Sequence, residues 1–540
     1  MLETIKKKYT LTEICLFLLL AVQVGFTSYI NLFYNAKLND YDASGAYVHI
    51  LEIYKSHTLF PSTYGYATTM DVDSTVGLAA IIFGICKNVF MAQGICNIIV
   101  VLAYLFVIRE IFTAIGADKR AMLTTMILVI LPYSMSMVGY WDVMFVGAAA
   151  NAVRNLIPLL YFSILLDIRT ERRGKLFWIK VATCLLMMLL TSISAGYYVM
   201  LFGILSLIAC DFYQFLKKGE LAELISLRWV LHIVMAIVCL LGLRIQNHMG
   251  FTSRSSEQTV VPAIRFTQNL GAWFTGIFEL FGALPEEGET ALSDMVGRTM
   301  ALKYGICLFF LGSFLFFLFR FLRQRSDRPH IMYVLFVGII DALALLFLDT
   351  TYGALTYEYR YHIMPMLFVM MGSGFFLNEI LTTGNETAKR MISILAIAVL
   401  AVTIGYADAV ARIYVEFKDA PDGVNRSSVV LKEIDDFIEK NGIETAVIYS
   451  DLFGIESRKL RAYGDTTDYV YYPISDGAPV YGWGGSSRVQ LKNGHTGKTA
   501  MITTSVEFEA APEEIRSAAT HIGQAGNMDI YLIPEGTFDL

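Results

Sequence analysis

Four aspartates share one stretch, "NDYDASGAYVHILEIYKSHTLFPSTYGYATTMDVDST", at Asp40, Asp42, Asp71 and Asp73. The stretch follows the first long apolar run of the chain. A carboxylate beside such a run can act as a general base, taking the proton from a hydroxyl or amine acceptor. The matching reaction is attack on an anomeric carbon that carries a phosphate leaving group, with a lipid-linked donor lying alongside. The plain alternative is helix capping. Asp42 or Ser44 stands just before one helical pattern and Asp73 just before another, and a cap contributes about 1 kcal/mol.

Further charges lie within apolar surroundings. Arg154 falls in "NAVRNLIPLL" and Asp341 in "VGIIDALALLF". A charge inside an apolar span is costly unless it is paired or faces water, which makes it a functional candidate. Three readings stand for Arg154. It pairs with Asp341, or it sits at a helix start at the interface, or it lines an outer cavity and neutralises a donor phosphate. The planar guanidinium suits the last role because it donates two hydrogen bonds at once. Arg265, in the segment 247–300, is another phosphate candidate, with simple solvation as its alternative. Asp142, in "GYWDVMF", is a second site carboxylate or a cap. Asp40, Asp42, Asp71, Asp73 and Asp142 offer the oxygen ligands that a divalent metal takes, and whether they converge is decided by the fold. His49 and His57 read as interfacial histidines.

The elements that position these residues follow from composition. Of the 540 residues, 55% are hydrophobic and 17% charged, against about 25% charged in soluble domains. Repeated apolar runs of roughly 18 to 25 residues predict a polytopic α-helical membrane protein. Spans are expected near 12–34, 89–109, 120–139, 143–166, 177–194, 197–213, 228–246, 301–321, 330–348, 361–380 and 389–407, about eleven in all. The first reads as a retained transmembrane helix and not as a cleaved signal. The net charge of -6 gives no basic patch for nucleic acid. The seven cysteines lie in or beside apolar segments without CxxC spacing and read as small core residues.

Lysine and arginine fall on alternate connections, among them Lys6 to Lys8, Lys119 with Arg120, Arg169 to Lys175, Lys217 with Lys218, Arg320 to Arg328, and Lys389 with Arg390. The positive-inside tendency makes these cytoplasmic. The loops 35–88 and 247–300 are then outside, and an odd span count sends 408–540 outside as well. In the first outer loop, Tyr47, Ile50, Leu51 and Tyr54 recur at helical spacing, with His49, Glu52 and Lys55 opposite. That pattern predicts an amphipathic helix along the membrane surface. "STVGLAAIIFGICKN" (74–88) is too short to span and is expected to sink partly into the interface. "FTQNLGAWFTGIFELFGAL" reads as a further surface helix. After 407 the pattern changes to that of a small α/β domain. A helix covers Val430 to Ile438, strands cover "TAVIYS", "DYVYYPI", "TAMITTS" and "MDIYLIP", and a helix covers "APEEIRSAATHI".

This order of elements resembles the GT-C superfamily, membrane glycosyltransferases that use polyprenyl-phosphate sugars. In the branch holding bacterial aminoarabinose and protein mannosyl transferases, the first outer loop reads roughly Asp-Glu-x-x-Tyr before a short aliphatic helix. "DYDASGAY" followed by "SHTLFPSTYGY" is similar. It lacks a Glu directly after Asp42, and its tyrosine comes five residues on, which leaves the base open between Asp42 and Asp40. "YEYRYHIMPML" (357–367) is similar to the Arg-Tyr-x-x-x-Pro element of late outer loops, through Arg360, Tyr361 and Pro365.

The resemblance implies a 1–407 transmembrane domain with an extracytoplasmic α/β domain over 408–540. It implies transfer of a sugar, with inversion, from a polyprenyl-phosphate donor to an envelope glycan, lipid or protein. Asp42 or Asp40 would be the base, and Arg154, Arg360, Tyr361, Asp73, Asp142 and Arg265 would bind substrate. A bacterial plasma membrane fits it. Two other classes share the composition: a transporter or flippase for a lipid-linked or polar solute, and a non-catalytic envelope assembly protein. The sequence shows no inverted repeat of the kind many transporters carry.

Overall fold

A computed structural model of the chain describes residues 10–61, 64, 66, 69–134, 139–149, 151–219, 225–249, 260–285, 289–324, 328–347, 359–417, 427–451, 459–464, 467–479 and 497–538. The helices begin with α1 (Leu11–Phe33), α2 (Tyr41–Ser56), α3 (Val76–Cys86), α4 (Val89–Ala114) and α5 (Lys119–Ile130). A short α6 (Tyr140–Phe145) precedes α7 (Ala152–Arg169), α8 (Lys175–Ala195), α9 (Leu205–Lys218) and α10 (Leu227–His248). Then come α11 (Ala263–Leu280), α12 (Met295–Gln324), α13 (Pro329–Phe347), α14 (Ile363–Thr383) and α15 (Glu386–Phe417). Among the described residues, nine helices are long and apolar enough to cross a membrane.

Two of the expected spans, those at 120–139 and 143–166, are not among these nine. α5 has 12 residues, or about 18 Å against the ~30 Å of a bilayer core. It stops because Leu131 precedes Pro132, whose ring disfavours helical backbone at the residue before it. Leu131 accordingly turns to ψ 139°. α7 starts at Ala152, later than expected, after a break with Gly147 at φ 57° and Ala149 at φ 47°. It carries Arg154, Asp167 and Arg169 in 18 residues, and most of its length is buried.

The chain forms two compact units. The first comprises Met1–Ser28, Ile98–Phe145 and Asn151–Arg412. Its interior is large and aromatic, with Tyr104, Tyr133, Tyr140, Trp141, Phe162 and Tyr333 fully enclosed. Two groups of buried charges within it are matched. Asp211 on α9 binds Arg228 at 2.9 Å, His232 at 3.0 Å and the Tyr333 hydroxyl at 2.6 Å, and also pairs with Arg169. Lys180 on α8 pairs with Asp167 and lies 3.5 Å from Glu110, while Arg172 reaches both carboxylates at 3.3 Å. Buried charges survive only in such hydrogen-bonded company.

The second unit comprises Tyr29–Asn97, Val146–Ala150 and Ile413–Leu540. α16 (Ser427–Lys440), β1 (Thr445–Tyr449), β2 (Asp468–Tyr472), β3 (Thr499–Thr503), α17 (Ser505–Ala510), α18 (Glu513–Ala518), β4 (Thr520–Ala525) and β5 (Met528–Ile533) form its mixed α/β part. The sheet order is β2-β1-β3-β5-β4, with β1 parallel to β2 and β3, and β5 antiparallel to β3 and β4. Leu431, Ile434 and Ile438 of α16 pack on Ala446, Ile448, Ala500 and Ile502. Val447, Met501, Tyr531 and Phe538 fill the other face. Burial on both faces explains why "TAVIY" and "TAMIT" do not alternate. One expected helix, over "APEEIRSAATHI", is shorter than its pattern. α18 ends at Ala518, and Thr520 onward pairs with β5 as β4.

Candidate active site

In the second unit, α2 buries Ala43, Tyr47, Ile50, Leu51 and Ile53 against Val76, Ala79, Ala80 and Phe83 of α3. The helix begins at least two residues earlier than the cap at Asp42 or Ser44 that its sequence pattern suggests. Its N-cap is Asp40, whose side chain accepts the Ala43 amide at 2.8 Å. Asp42 is therefore not the cap: it lies in the first turn and is exposed. Asp73 is buried, at 3% exposure, ahead of α3. The N-cap of α3 is Thr75, which makes no side-chain capping bond. Asp71 takes a left-handed backbone at φ 54° and accepts the Thr69 hydroxyl at 2.5 Å.

His49 departs from its interfacial reading. It is fully buried on α2, its ring stacked on Tyr64 at 4.4 Å with the edge of Tyr66 at 5.5 Å. Burial lowers its pKa to about 3, so the ring is neutral. The Tyr64 hydroxyl donates to the Gly45 carbonyl at 3.0 Å. Burial and the Asp71 carboxylate both push the Tyr64 and Tyr66 phenols up. His57 is exposed and closes α2 in the left-handed region.

The α/β part of the same unit meets this loop directly. Asn39, immediately before Asp40, donates to the Lys459 carbonyl at 3.2 Å. Lys55 pairs with Asp468 at 2.9 Å. Burial lowers the Arg461 pKa, while Glu52, Tyr64 and Asp468 act to raise it. Ala462 and Tyr463 join the core of α2 and α3. A run of alternating charge, Glu52, Arg461, Asp468 and Lys55, thus joins the surface helix to the C-terminal sheet.

In the first unit, Arg154 occupies the first turn of α7, is 8% exposed, and has one guanidinium nitrogen 3.4 Å from the Ser194 hydroxyl. It does not pair with Asp341. That carboxylate accepts the Ser206 hydroxyl at 2.5 Å and the Gly203 amide. Gly203 lies in a kinked π-turn (Met200–Ile204) before α9, at φ 108°, where a Cβ would strike Pro158 at 2.6 Å. Asp341 therefore supplies an acceptor to a backbone that has left its helix. Arg360 and Tyr361 lie on a 3-10 turn (Tyr359–His362) leading into α14, with the guanidinium 5.7 Å from the Tyr361 ring. The Tyr361 ring lies 6.0 Å from that of Tyr198. Pro365 sits in the first turn of α14, where its missing amide is tolerated. The part of that motif before Tyr359 lies outside the described residues. Asp142 is 9% exposed within α6, and Arg265 is half-buried in the first turn of α11.

Among the described residues, no three His, Cys, Asp or Glu side chains gather as a metal site would require. Sequence reasoning missed the buried carboxamides Asn31, Asn35, Gln93 and Asn97, although their four-residue spacing in apolar runs is a legible signal.

The fold has solved relatives. ArnT from Cupriavidus metallidurans in the apo state aligns over 97% of this chain and 98% of its own, at 12% identity and TM-score 0.54. ArnT of the same organism bound to undecaprenyl phosphate aligns over the same shares, at 12% identity and TM-score 0.52. The Archaeoglobus fulgidus oligosaccharyltransferase, in complex with zinc and sulfate, aligns with 84% of this chain at 14% identity and TM-score 0.45, and this chain spans 62% of its length. No protein-family model and no curated protein matches the sequence. At these identities the likeness is one of fold: the chain has an ArnT-like fold.

Proposed function

We propose that this chain is an integral-membrane glycosyltransferase that moves a sugar from a polyprenyl-phosphate donor to a cell-envelope acceptor on the outer face of a bacterial plasma membrane. The observation that carries the reading is the ArnT-like fold over 97% of the chain, in a relative solved with undecaprenyl phosphate bound. With the N-terminus inside, the alternation of basic connections would put the C-terminal α/β domain and the first long loop on the outer side.

Asp42 is the base in this reading. Asp40 has a carboxylate oxygen on the Ala43 amide as the N-cap of α2, while Asp42 is exposed in the first turn of the same helix. It takes that proton as the acceptor oxygen or nitrogen attacks the anomeric carbon and polyprenyl phosphate leaves. Arg154 and Arg360 hold the phosphate, each through a planar donor fork. Tyr361 orients Arg360 through their ring contact. Asp73, Asp142 and Arg265 complete the proposed substrate contacts.

The test offers labelled polyprenyl-phosphate hexoses to membranes holding the wild type or Asp42→Asn, with total envelope material as acceptor. Transfer by the wild type that is lost in Asp42→Asn at equal protein level supports the reading. No transfer from any donor overturns it, and an active Asp42→Asn overturns the base assignment.

A further inference from the structure

Four buried carboxamides take no part in the chemistry just proposed. Asn31, Asn35, Gln93 and Asn97 are each 2% exposed or less, and all lie in the second unit. A buried amide is costly unless hydrogen-bonded, and these are bonded to one another and to a break in the chain. The Asn97 amide nitrogen donates to Asn31 Oδ1 at 2.8 Å and to the Gly147 carbonyl at 3.0 Å. Its oxygen accepts Gln93 Nε2 at 2.9 Å. Gln93 Nε2 is also 2.8 Å from Thr75 Oγ1 and 3.0 Å from the Ala148 carbonyl. Asn35 accepts the Gly147 amide at 3.0 Å and donates to the Phe90 carbonyl at 2.9 Å.

The segment they hold, 146–149, is not helical. Gly147 stands at φ 57° and Ala149 at φ 47°. For alanine that region is disfavoured by roughly 1–3 kcal/mol and persists only where its surroundings impose it. A helix continued through this segment would satisfy its own backbone; the break needs side-chain partners, and the three amides provide them. In the chain, Asp142 precedes the segment and Arg154 follows it. Thr75, in the same network, follows Asp73, and Asn35 precedes Asp40. The stretches that hold Asp40 and Asp73 are therefore each joined to this polar cluster, through Asn35 and Thr75.

We infer that Asn97, with Gln93 and Asn35, is a positioning residue for the transfer site: these amides hold 146–149 in its non-helical conformation and so set where α7, the helix that carries Arg154, begins. The inference rests on the role proposed for Arg154. Asn97 touches no substrate; it acts through the backbone of Gly147.

The experiment compares purified full-length wild type, Asn97→Ala, and Asn97→Ala with Ala149→Gly. It measures kcat and KM for the polyprenyl-phosphate sugar, and hydrogen exchange in the peptide covering 146–150. Asn97→Ala is expected to lower kcat at least tenfold, to change KM less than about threefold, and to speed exchange in that peptide. The double variant is expected to recover kcat at least threefold, because glycine holds a positive φ without steric cost. A loss caused by general destabilisation would not be relieved by that second change. Exchange in Asn97→Ala equal to wild type overturns the inference whatever the activity. Wild-type kcat in Asn97→Ala, or a double variant no better than the single, overturns it too. A wild type that transfers nothing sinks the proposed function and the role given to Arg154, while the exchange result still decides whether the amides hold the segment.

Discussion

The Asp40 carboxylate accepts the Ala43 amide at 2.8 Å, and this bond separates two aspartates that look alike in sequence. Asp40 serves the backbone of α2, and Asp42 faces solvent. Asparagine caps helices about as well as aspartate, whereas alanine costs about 1 kcal/mol. Asp40→Asn is expected to leave both stability and transfer within twofold of wild type. Asp42→Asn should lower transfer at least 100-fold with an unchanged Tm. The assay is labelled-sugar transfer beside thermal unfolding in detergent.

His49 makes the second unit sensitive to acid. Its pKa is lowered from 6.5 to about 3 by burial, so the unfolded chain takes up a proton that the folded ring does not. The stability this provides is complete above pH 6.5 and is lost as pH falls toward 3. Between pH 7.5 and pH 5 the loss is about 2 kcal/mol. Tyr64 and Tyr66 face the ring, and neither ionises in this range. His49→Phe keeps the stack and should flatten the pH dependence of exchange protection in α2. A curve as steep as that of the wild type would count against the buried neutral ring.

Lys180 stands between two buried carboxylates, Asp167 and Glu110. Lys180→Met leaves them without that charge, a change that typically costs about 3–5 kcal/mol. The expected result is a sharp fall in Tm and in yield of folded protein. Lys55→Ala, which removes the exposed pair with Asp468, should change stability by less than about 1 kcal/mol. Thermal unfolding of the two variants side by side checks the contrast.

Asp341 supports the kink at Gly203. Asp341→Ala removes the acceptor of both the Ser206 hydroxyl and the Gly203 amide, and an orphaned buried donor costs about 1–3 kcal/mol. Asp341→Asn keeps an acceptor oxygen and should lie close to wild type. If Asp341→Ala unfolds at the wild-type temperature, the carboxylate does not hold the turn.

Much of the helical scaffold was legible because a membrane span needs only an apolar run of sufficient length. The expected 228–246 and 330–348 became Leu227–His248 and Pro329–Phe347. Misreadings came where one local signal outranked hydropathy. Pro132 ended an apolar stretch that read as continuous, and two positive φ angles delayed α7 until Ala152. The later start turned Arg154 from an intramembrane charge into a first-turn residue. Asp40 and Asp42 differ by two positions, finer than a pattern of apolar residues can place a helix end. His49 lay opposite the apolar face of α2 and was still buried, because Tyr64 and Tyr66 come from a later loop that helical periodicity does not see.

The hydrogen bond from Asn39 to the Lys459 carbonyl joins residues 420 positions apart. A ribosome adding about 5–20 residues per second needs roughly 20 to 80 seconds to cover that distance. Through that interval the first loop is already made, and the partners of Asn39, Glu52 and Lys55 do not yet exist. The helix that Asp40 caps and that bears Asp42 thus reaches its final surroundings only after Lys459 and Asp468 have been made. Until the C-terminal sheet has formed, the newborn chain carries its proposed base on an unfinished support, and activity should appear only on molecules that already hold the sheet.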